Sequence, residues 1–269
     1  MNFMNIGRIN KNLAILKGYV HGQYGCGWMN DDISRIIYEF VVFYQPHLVI
    51  QTGYLWGKSS LMILEALRDS AVLETGDSIE KIDVAVANFI NAHCPRVSKN
   101  ARLITVDPNV FNLPIEEGVE FLKREYGNFE LTIETSQNFF KKNARKICAE
   151  YKGSTILGVI DGDHNYEGCL TDLINCDLTG CKIILVDDTL WIPYIGRLSE
   201  RFARQRGYYY LNLKLYNGIG ILIKKERTTF RQNAIDYYSD FLLEKEILIM
   251  AIRAKLKNIA FLYKIYKFF

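Results

Sequence analysis

Short apolar runs alternate with longer stretches of helical periodicity along most of the chain. Each run holds a few apolar residues and is bounded by Gly, Pro, Asp or Ser, which is the pattern of a buried strand. The predicted strands lie at 47–53, 101–108, 129–136, 155–163 and 182–188. Helices are predicted between a cap at Asn30 or Asp31 and Pro46, and at 59–69, 78–93, 114–127, 137–152 and 166–178.

This alternation predicts a parallel sheet with helices on both faces. Two further strands at 208–216 and 219–225 are joined by Asn217-Gly218, a strong hairpin signal, and therefore add an antiparallel strand. The expected fold class is α/β, a Rossmann-like, doubly wound, mostly parallel sheet with a terminal antiparallel hairpin. The core spans 45–225, between an N-terminal helical or lid segment at 1–44 and a C-terminal helical extension at 226–269.

Polar residues stand where the predicted parallel strands end. Because ligands of open α/β sheets bind at the carboxyl edge of the strands, this succession of polar ends predicts a binding site there. The residues concerned are Gln51, Asp107, Ser136, Asp161, Asp187 and Asp188.

The turn between the first strand and its helix contains Gly53 and Gly57, which let backbone amides approach a ligand near a helix N-terminus. The spacing is neither that of the dinucleotide fingerprint nor that of a phosphate-binding P-loop. A tight turn that simply requires glycine explains the motif equally well. Asp107 ends the second strand, where a carboxylate can accept both hydroxyls of a ribose or can simply be solvated.

Composition limits the classes of function. The 269 residues carry a net charge of only +3, so we expect no nucleic-acid partner. The six cysteines form neither a CxxC pair nor a Cys/His cluster, which indicates reduced thiols. The sequence has no apolar run of membrane-spanning length and no signal-peptide pattern, so we expect a cytoplasmic protein.

The order of motifs resembles the class I S-adenosylmethionine-dependent methyltransferases. The segments that carry the resemblance are LVIQTGYLWGKSS, LITVDPN, TIETSQNFF, GVIDGDHNYEG and IILVDDTLW, within 45–225. Among these enzymes the chain is similar to the metal-dependent O-methyltransferases: the catechol and caffeoyl-CoA type, the macrocin-type sugar O-methyltransferases and the cephalosporin-hydroxylase-like group. The combination of IDGDHNYEG with VDDT is the most specific part.

The resemblance implies a cofactor site for S-adenosylmethionine that begins at the glycine turn. Gly53 and Gly57 match the first glycine motif, and Ser59 matches the serine that holds the methionyl carboxylate. Gln51 occupies a position that is usually Glu or Asp, so its contact with the amino end of the cofactor is expected to be weaker or rearranged. A glutamine carbonyl can still accept a hydrogen bond.

The same resemblance places the nucleoside of the cofactor further along the sheet edge. Asp107 matches the ribose-binding acid, and Ser136 with Gln137 matches the Ser-Gln pair near the adenine. Asp163 matches a second acid on the cofactor side.

Asp161, Asp187 and Asp188 end two strands that are expected to be neighbours in the sheet. Three hard oxygen ligands suit a divalent cation such as Mg²⁺ better than zinc. The resemblance assigns the metal to the same three positions, and an aspartate at Asp188 is closer to the sugar-modifying branch. The alternative is that Asp187 and Asp188 are helix or turn caps.

His164 lies three residues beyond Asp161 and is the candidate general base. The reference pKa of histidine, about 6.5, suits proton removal near neutral pH. The matching histidine of the sugar-methylating relatives is thought to remove the acceptor proton. Otherwise His164 would only pack beside the cofactor base or hydrogen-bond to it.

The C-terminal extension has helical periodicity, and no acidic residue follows Glu246. A basic amphipathic helix can lie on an anionic membrane surface, which would make the protein peripheral to the inner face of the membrane. Alternatively it packs on the core or on a neighbouring subunit of a homo-oligomer. The basic residues of its last stretch are Arg253, Lys255, Lys257, Lys264 and Lys267.

Three functions follow from these observations. The first is a metal-assisted O-methyltransferase that acts on a hydroxyl of a sugar, a glycan or a related small molecule. Trp191 and two aromatic residues of the N-terminal segment, Tyr24 and Trp28, are candidates to stack on the acceptor. The second is a cephalosporin-hydroxylase-like enzyme, and the third is a non-catalytic scaffold that keeps the cofactor fold.

Overall fold

A computed structural model describes residues 6–19, 29–75 and 101–225 of the chain. The helix predicted at 78–93, the C-terminal extension at 226–269 and the aromatic residues Tyr24 and Trp28 lie outside the described residues. None of the helices in the described ranges is both long enough and apolar enough to cross a membrane.

The described residues form seven helices and seven strands. The helices are α1 (Ile6–Tyr19), α2 (Asp31–Tyr44), α3 (Lys58–Thr75), α4 (Glu116–Tyr126), α5 (Ser136–Glu150), α6 (Tyr166–Leu178) and α7 (Pro193–Arg206). The strands are β1 (Leu48–Thr52), β2 (Arg102–Val106), β3 (Phe129–Thr132), β4 (Ile156–Ile160), β5 (Ile183–Asp187), β6 (Tyr208–Leu213) and β7 (Ile219–Lys224).

All seven strands belong to one sheet in the order β3-β2-β1-β4-β5-β7-β6. Strands β1 to β5 pair in parallel, whereas β7 lies antiparallel between β5 and β6. The predicted fold class, a mostly parallel Rossmann-like sheet with a terminal antiparallel hairpin, is therefore confirmed. This order brings the ends of β1, β4 and β5 side by side at the carboxyl edge.

Each central strand is buried on both faces, and successive side chains belong to different cores. In β1, Val49 packs with α1 to α4 on one face, whereas Leu48 and Ile50 pack with α5 to α7 on the other. In β4, Leu157 packs on the same face as Val49, and Ile156 packs on the opposite face. The two layers of helices fix the sheet between them and leave its carboxyl edge accessible.

Most element ends agree with the local sequence signals. Asn30 caps α2 by accepting a hydrogen bond from the backbone N–H of Asp32, and Gly127 ends α4 in the left-handed conformation. The helix predicted to begin at Pro114 instead begins at Glu116. The backbone N–H of Ile115 donates to the carbonyl of Leu113, so Pro114 lies in a turn that precedes the helix.

The third strand is shorter than predicted because the residues after it start α5. Thr135 caps this helix, and its side chain accepts a hydrogen bond from the backbone N–H of Asn138. Ser136 is therefore the first residue of α5 and not the last residue of a strand.

Candidate active site at the carboxyl edge of the sheet

A cleft of about 1210 Å³ runs along the carboxyl edge of the sheet. It lies between the start of α2 and the loops that follow β1, β2, β4 and β5, together with the first turns of α5 and α6. Its volume exceeds the ~300–1,000 Å³ typical of a site for one small ligand, so the cleft has room for two. The predicted site residues that line it are Gly53, Ser59, Asp107, Ser136, Gln137, Asp161, Asp163, His164, Asp187 and Asp188.

The loop after β1 passes very close to the loop after β4. Gly53 has a φ of +88°, and a Cβ added there would lie 2.0 Å from the backbone oxygen of Asp161. Only glycine allows this approach. Gly57 has a φ of +77° and packs against the ring of Tyr54, so its role is in the turn and it does not line the cleft.

Gln51 is fully buried and does not line the cleft. Its amide group donates to the backbone oxygen of Gly53 at 2.8 Å and to the hydroxyl of Ser59 at 2.6 Å. Its side-chain carbonyl accepts from the hydroxyls of Ser60 at 2.8 Å and Thr105 at 3.3 Å. These bonds use both ends of the Gln51 amide within the protein, and Ser59, whose hydroxyl accepts one of them, lines the cleft.

Asp107 is held by backbone amides of two loops. One carboxylate oxygen accepts from the N–H groups of Tyr54 at 2.6 Å and Leu55 at 3.2 Å, and the other accepts from Asn109 at 2.6 Å. Leu55 adopts a φ of +47°, which is uncommon for a residue other than glycine. The strained loop and the carboxylate therefore orient each other at the end of β2.

Asp163 lies at the start of the loop that leads into α6. Its carboxylate accepts hydrogen bonds from the backbone N–H of Asn165 at 3.0 Å and from the Asn165 side-chain amide at 2.5 Å. Gly168 packs directly against it, because a Cβ there would come within 2.6 Å of the Asp163 side chain. The acid thus faces the cleft from a rigid turn.

Asp172 is a further functional candidate, and it was not predicted from the sequence. It lies on α6, lines the cleft and is only 1% exposed, and the hydroxyl of Ser136 donates to it at 2.5 Å. Burial raises the pKa of Asp172 to about 6, although the hydrogen bond from Ser136 opposes the rise. The sequence feature that could have indicated it is an acidic residue on the buried face of a helix, the face that also carries Cys169 and Leu173.

The acidic cluster gathers at the ends of β4 and β5. Ligand atoms of Asp161, His164 and Asp188 lie within 4.8 Å of one another. The Nδ1 atom of His164 is 3.3 Å from Oδ2 of Asp188. The carboxylate of Asp187 instead accepts from the backbone N–H of Asp188 at 2.8 Å, and Asp188 has a φ of +60°.

The carboxylates of this cluster repel one another. Burial, and then the charges of Asp187, Asp188 and Asp107, hold the pKa of Asp161 well above its usual range. Burial and the Asp188 charge raise the pKa of Asp187 to about 7. The pKa of Asp188 is also raised, by burial, while the nearby His164 and the Asn217 side chain oppose the rise.

A divalent cation fits this set of donors. The carboxylates of Asp161 and Asp188 can share one ion beside the His164 imidazole, and the charge of the ion would offset the repulsion between the buried carboxylates. Asp187, which lines the same cleft, can orient Asp188 or supply a further oxygen. The residues therefore suit a cation without any rearrangement of the strands.

Two further groups beside the cluster were not predicted as site residues. Asn217, in the turn between β6 and β7, lies close enough to the Asp188 carboxylate to lower its pKa, and its backbone oxygen accepts from the N–H of Trp191 at 2.9 Å. The hydroxyl of Tyr194 donates to the backbone oxygen of His164 at 2.6 Å. The hairpin and the start of α7 therefore fix the loops that carry Asp188 and His164.

Solved structures with a similar fold include several methyltransferases. A methyltransferase from Geobacter sulfurreducens has a TM-score of 0.54 at 14% identity, with 80% of this chain and 89% of that chain covered. An O-methyltransferase from Bacillus cereus in complex with SAH (S-adenosylhomocysteine) has a TM-score of 0.54 at 11% identity, with 81% and 91% covered. The fold is that of these methyltransferases.

A third methyltransferase of this fold, SAH-bound and from Podospora anserina, has a TM-score of 0.53 at 14% identity, with 82% of this chain and 94% of that chain covered. No protein-family model and no curated protein sequence matches the chain. Because one fold serves many reactions, the residues of the site and not the fold determine the activity.

Proposed function

We propose that this protein is an S-adenosylmethionine-dependent O-methyltransferase that methylates a hydroxyl of a sugar, a glycan or a related small molecule with the help of a divalent cation. The observation that carries the proposal is the cluster of Asp161, His164 and Asp188. It lies in a cleft of the methyltransferase fold that also contains Asp107.

The two ends of the cofactor fit different parts of the cleft. The methionyl carboxylate suits the N-terminus of α3, where Lys58 and Ser59 line the cleft and the helix dipole favours an anion. The ribose suits Asp107, since a carboxylate oxygen that already accepts a backbone amide keeps a lone pair for a hydroxyl. Ser136 and Gln137 then border the base.

Asp161 and Asp188, with Asp187 beside them, would hold the cation. When bound, a divalent cation lowers the pKa of an acceptor hydroxyl and orients it. Mg²⁺ is our first choice because most of the donors are carboxylate oxygens.

His164 is placed to take the acceptor proton. Its Nδ1 atom faces Asp188, and a carboxylate there favours the tautomer with the proton on Nδ1. The Nε2 atom then carries the free lone pair that a general base needs. Asp188 thus orients the base as well as belonging to the proposed metal site.

The acceptor side of the cleft is suited to a flat polyol. Trp191 lies three residues beyond Asp188, lines the cleft and is 67% exposed. The face of an indole ring packs well against the C–H face of a sugar, which leaves the sugar hydroxyls free to approach the acidic cluster. The bond that forms is between the acceptor oxygen and the methyl carbon, and the bond that breaks joins this carbon to the sulfonium.

A non-catalytic scaffold is the second candidate, and the position of Gln51 favours it. The resemblance places a cofactor contact at this position, whereas the Gln51 amide is used in internal hydrogen bonds. A scaffold would keep the fold and the acidic residues without binding the cofactor.

Methyl transfer from S-adenosylmethionine with a labelled methyl group tests the proposal. The acceptors are a panel of mono- and oligosaccharides and polyols, with Mg²⁺ or with a chelator. We expect label transfer that requires the cation and is lost in His164→Ala and Asp188→Asn, but not in Glu120→Gln, which changes an exposed acid on α4. A rate of label transfer that is unchanged by the chelator and unchanged in His164→Ala would refute the proposed mechanism.

A further inference from the structure

The contact between Ser136 and Asp172 joins two helices at the wall of the cleft. Ser136 is the first residue of α5, and Asp172 lies on α6, yet their side-chain oxygens are only 2.5 Å apart. The carboxylate of Asp172 is almost completely buried. A short bond between a hydroxyl and a buried carboxylate is a strong, charge-assisted one.

This bond fixes the direction in which Ser136 can interact with a ligand. A serine hydroxyl has one proton and two lone pairs, and an ionised carboxylate only accepts. The proton of Ser136 therefore points to Asp172, and the hydroxyl offers only lone pairs to the cleft. Because the pKa of Asp172 is about 6, the carboxylate is ionised at pH 8.

The charge distribution along the cleft indicates which part of the cofactor meets Ser136. Among the described residues that line the cleft, Lys58 is the only lysine or arginine, and it lies with α3 on the face of the sheet opposite to α5 and α6. The Nζ atom of Lys58 pairs with the Asp31 carboxylate at 2.5 Å and donates to the backbone oxygen of Met29, so on this side the N-terminus of α3 is what favours the anionic end of a cofactor. The wall formed by α5 and α6, with Thr135, Ser136 and Gln137, then receives the neutral base.

We propose that Asp172 is a positioning residue that makes Ser136 a pure hydrogen-bond acceptor, so that the cleft selects a cofactor whose purine carries a 6-amino group over one with a 6-oxo group. This inference rests on the proposed function, since it concerns the cofactor of that reaction. A 6-amino group donates to Ser136, whereas a 6-oxo group would bring two acceptors together without a proton between them.

The test is the binding affinity of S-adenosylhomocysteine relative to its 6-oxo counterpart S-inosylhomocysteine, measured by calorimetry on the full chain at pH 8. We expect the wild-type protein to prefer the adenosyl compound by about tenfold or more, because a buried acceptor left without a donor costs that much in affinity. In Asp172→Asn the amide can donate to Ser136 and release the serine proton to the ligand. The preference should then fall toward one, as it should in Ser136→Ala.

Asp107→Asn is the control, since it alters the proposed ribose contact. It should weaken both ligands and leave their affinity ratio unchanged. Thermal unfolding of each variant shows whether the fold is kept. Equal binding of the two ligands by the wild-type protein, or an unchanged ratio in Asp172→Asn, would overturn the inference and leave the proposed function intact. Binding of neither ligand by the wild-type protein would overturn both.

Discussion

The Nδ1 atom of His164 lies 3.3 Å from Oδ2 of Asp188, across the ends of two neighbouring strands. Asp188 follows β5 directly, and His164 belongs to the loop after β4. The pairing of β4 with β5 therefore brings a base and the acid that orients it together from positions 24 residues apart in the sequence.

The role of His164 as a base leads to the first prediction. His164→Ala should lower the rate of methyl transfer by about 10²–10⁴-fold, the usual contribution of a general base. The affinity for S-adenosylhomocysteine should stay within about twofold, because the proposed cofactor contacts lie elsewhere in the cleft. Single-turnover kinetics and calorimetry measure the two quantities. A loss of cofactor affinity equal to the loss of rate would show that His164 serves binding instead.

The buried carboxylate of Asp172 makes the stability of the protein depend on pH. Its folded pKa is about 6, above the unfolded value of about 3.9, so the folded state binds this proton more tightly. This contribution to stability is fully present below the unfolded pKa and is lost as the pH rises to about 6. Asp172→Asn should therefore be more stable than the wild type at pH 8, by about 3 kcal/mol at most.

Urea unfolding at several pH values measures this difference. The advantage of Asp172→Asn should shrink as the pH falls from about 6 toward 4, where the wild-type carboxyl is protonated in the folded state. A variant that is less stable than the wild type at pH 8 would mean that the bond between Ser136 and an ionised Asp172 outweighs the burial of the charge.

A buried polar cluster fixes α1 to α3. Glu65 is fully buried and accepts hydrogen bonds from Arg8 at 2.6 Å, Asn12 at 2.8 Å and Tyr126 at 2.7 Å. Arg8→Ala removes the cation and leaves a buried charge, so it should cost about 3–5 kcal/mol of unfolding free energy.

The matched control is Arg35→Ala. Arg35 pairs with Glu39 at 2.9 Å on the surface of α2, where both side chains are more than half exposed. Such pairs contribute at most about 0.5 kcal/mol. Chemical denaturation of both variants gives the comparison, and equal losses would argue that the Glu65 cluster is not a stabilising anchor for α1.

Gly53 and Gly153 separate the effect of crowding from that of backbone strain. Both have a positive φ, +88° and +85°, but a Cβ at Gly153 meets nothing within 4 Å whereas one at Gly53 meets the backbone of Asp161. Gly153→Ala should cost about 1–2 kcal/mol from backbone strain alone. Gly53→Ala should cost clearly more and should also weaken cofactor binding, as thermal unfolding and calorimetry would show. Equal stability losses would contradict the close approach of the two loops.

The parallel sheet could be predicted from sequence because its signals are local. The apolar runs of β1, β4 and β5 are short and bounded by polar or glycine residues, and Asn217-Gly218 marks the hairpin. The site residues at strand ends were equally visible, since chain order places Asp107 and Asp161 directly after their strands.

Contacts between elements that are far apart in the chain could not be predicted. The side chain of Gln51 is held in the interior by hydrogen bonds from Ser60 and Thr105. The hydrogen bond between Ser136 and Asp172 joins residues that are 36 positions apart in the sequence. The sequence indicates only that Asn217 belongs to a turn, and its proximity to Asp188 results from the fold. These pairings follow from packing, for which a single sequence has no periodic signal.

Calorimetric titration of the wild-type protein and of Asp188→Asn tests the central claim most directly. S-adenosylhomocysteine is titrated first, and Mg²⁺ or Mn²⁺ is titrated into the loaded protein. We predict that both proteins bind S-adenosylhomocysteine and that only the wild type gives a cation-binding signal. Cofactor binding with no cation signal in either protein would contradict the assistance of a metal, and no cofactor binding under any condition would contradict the methyltransferase itself.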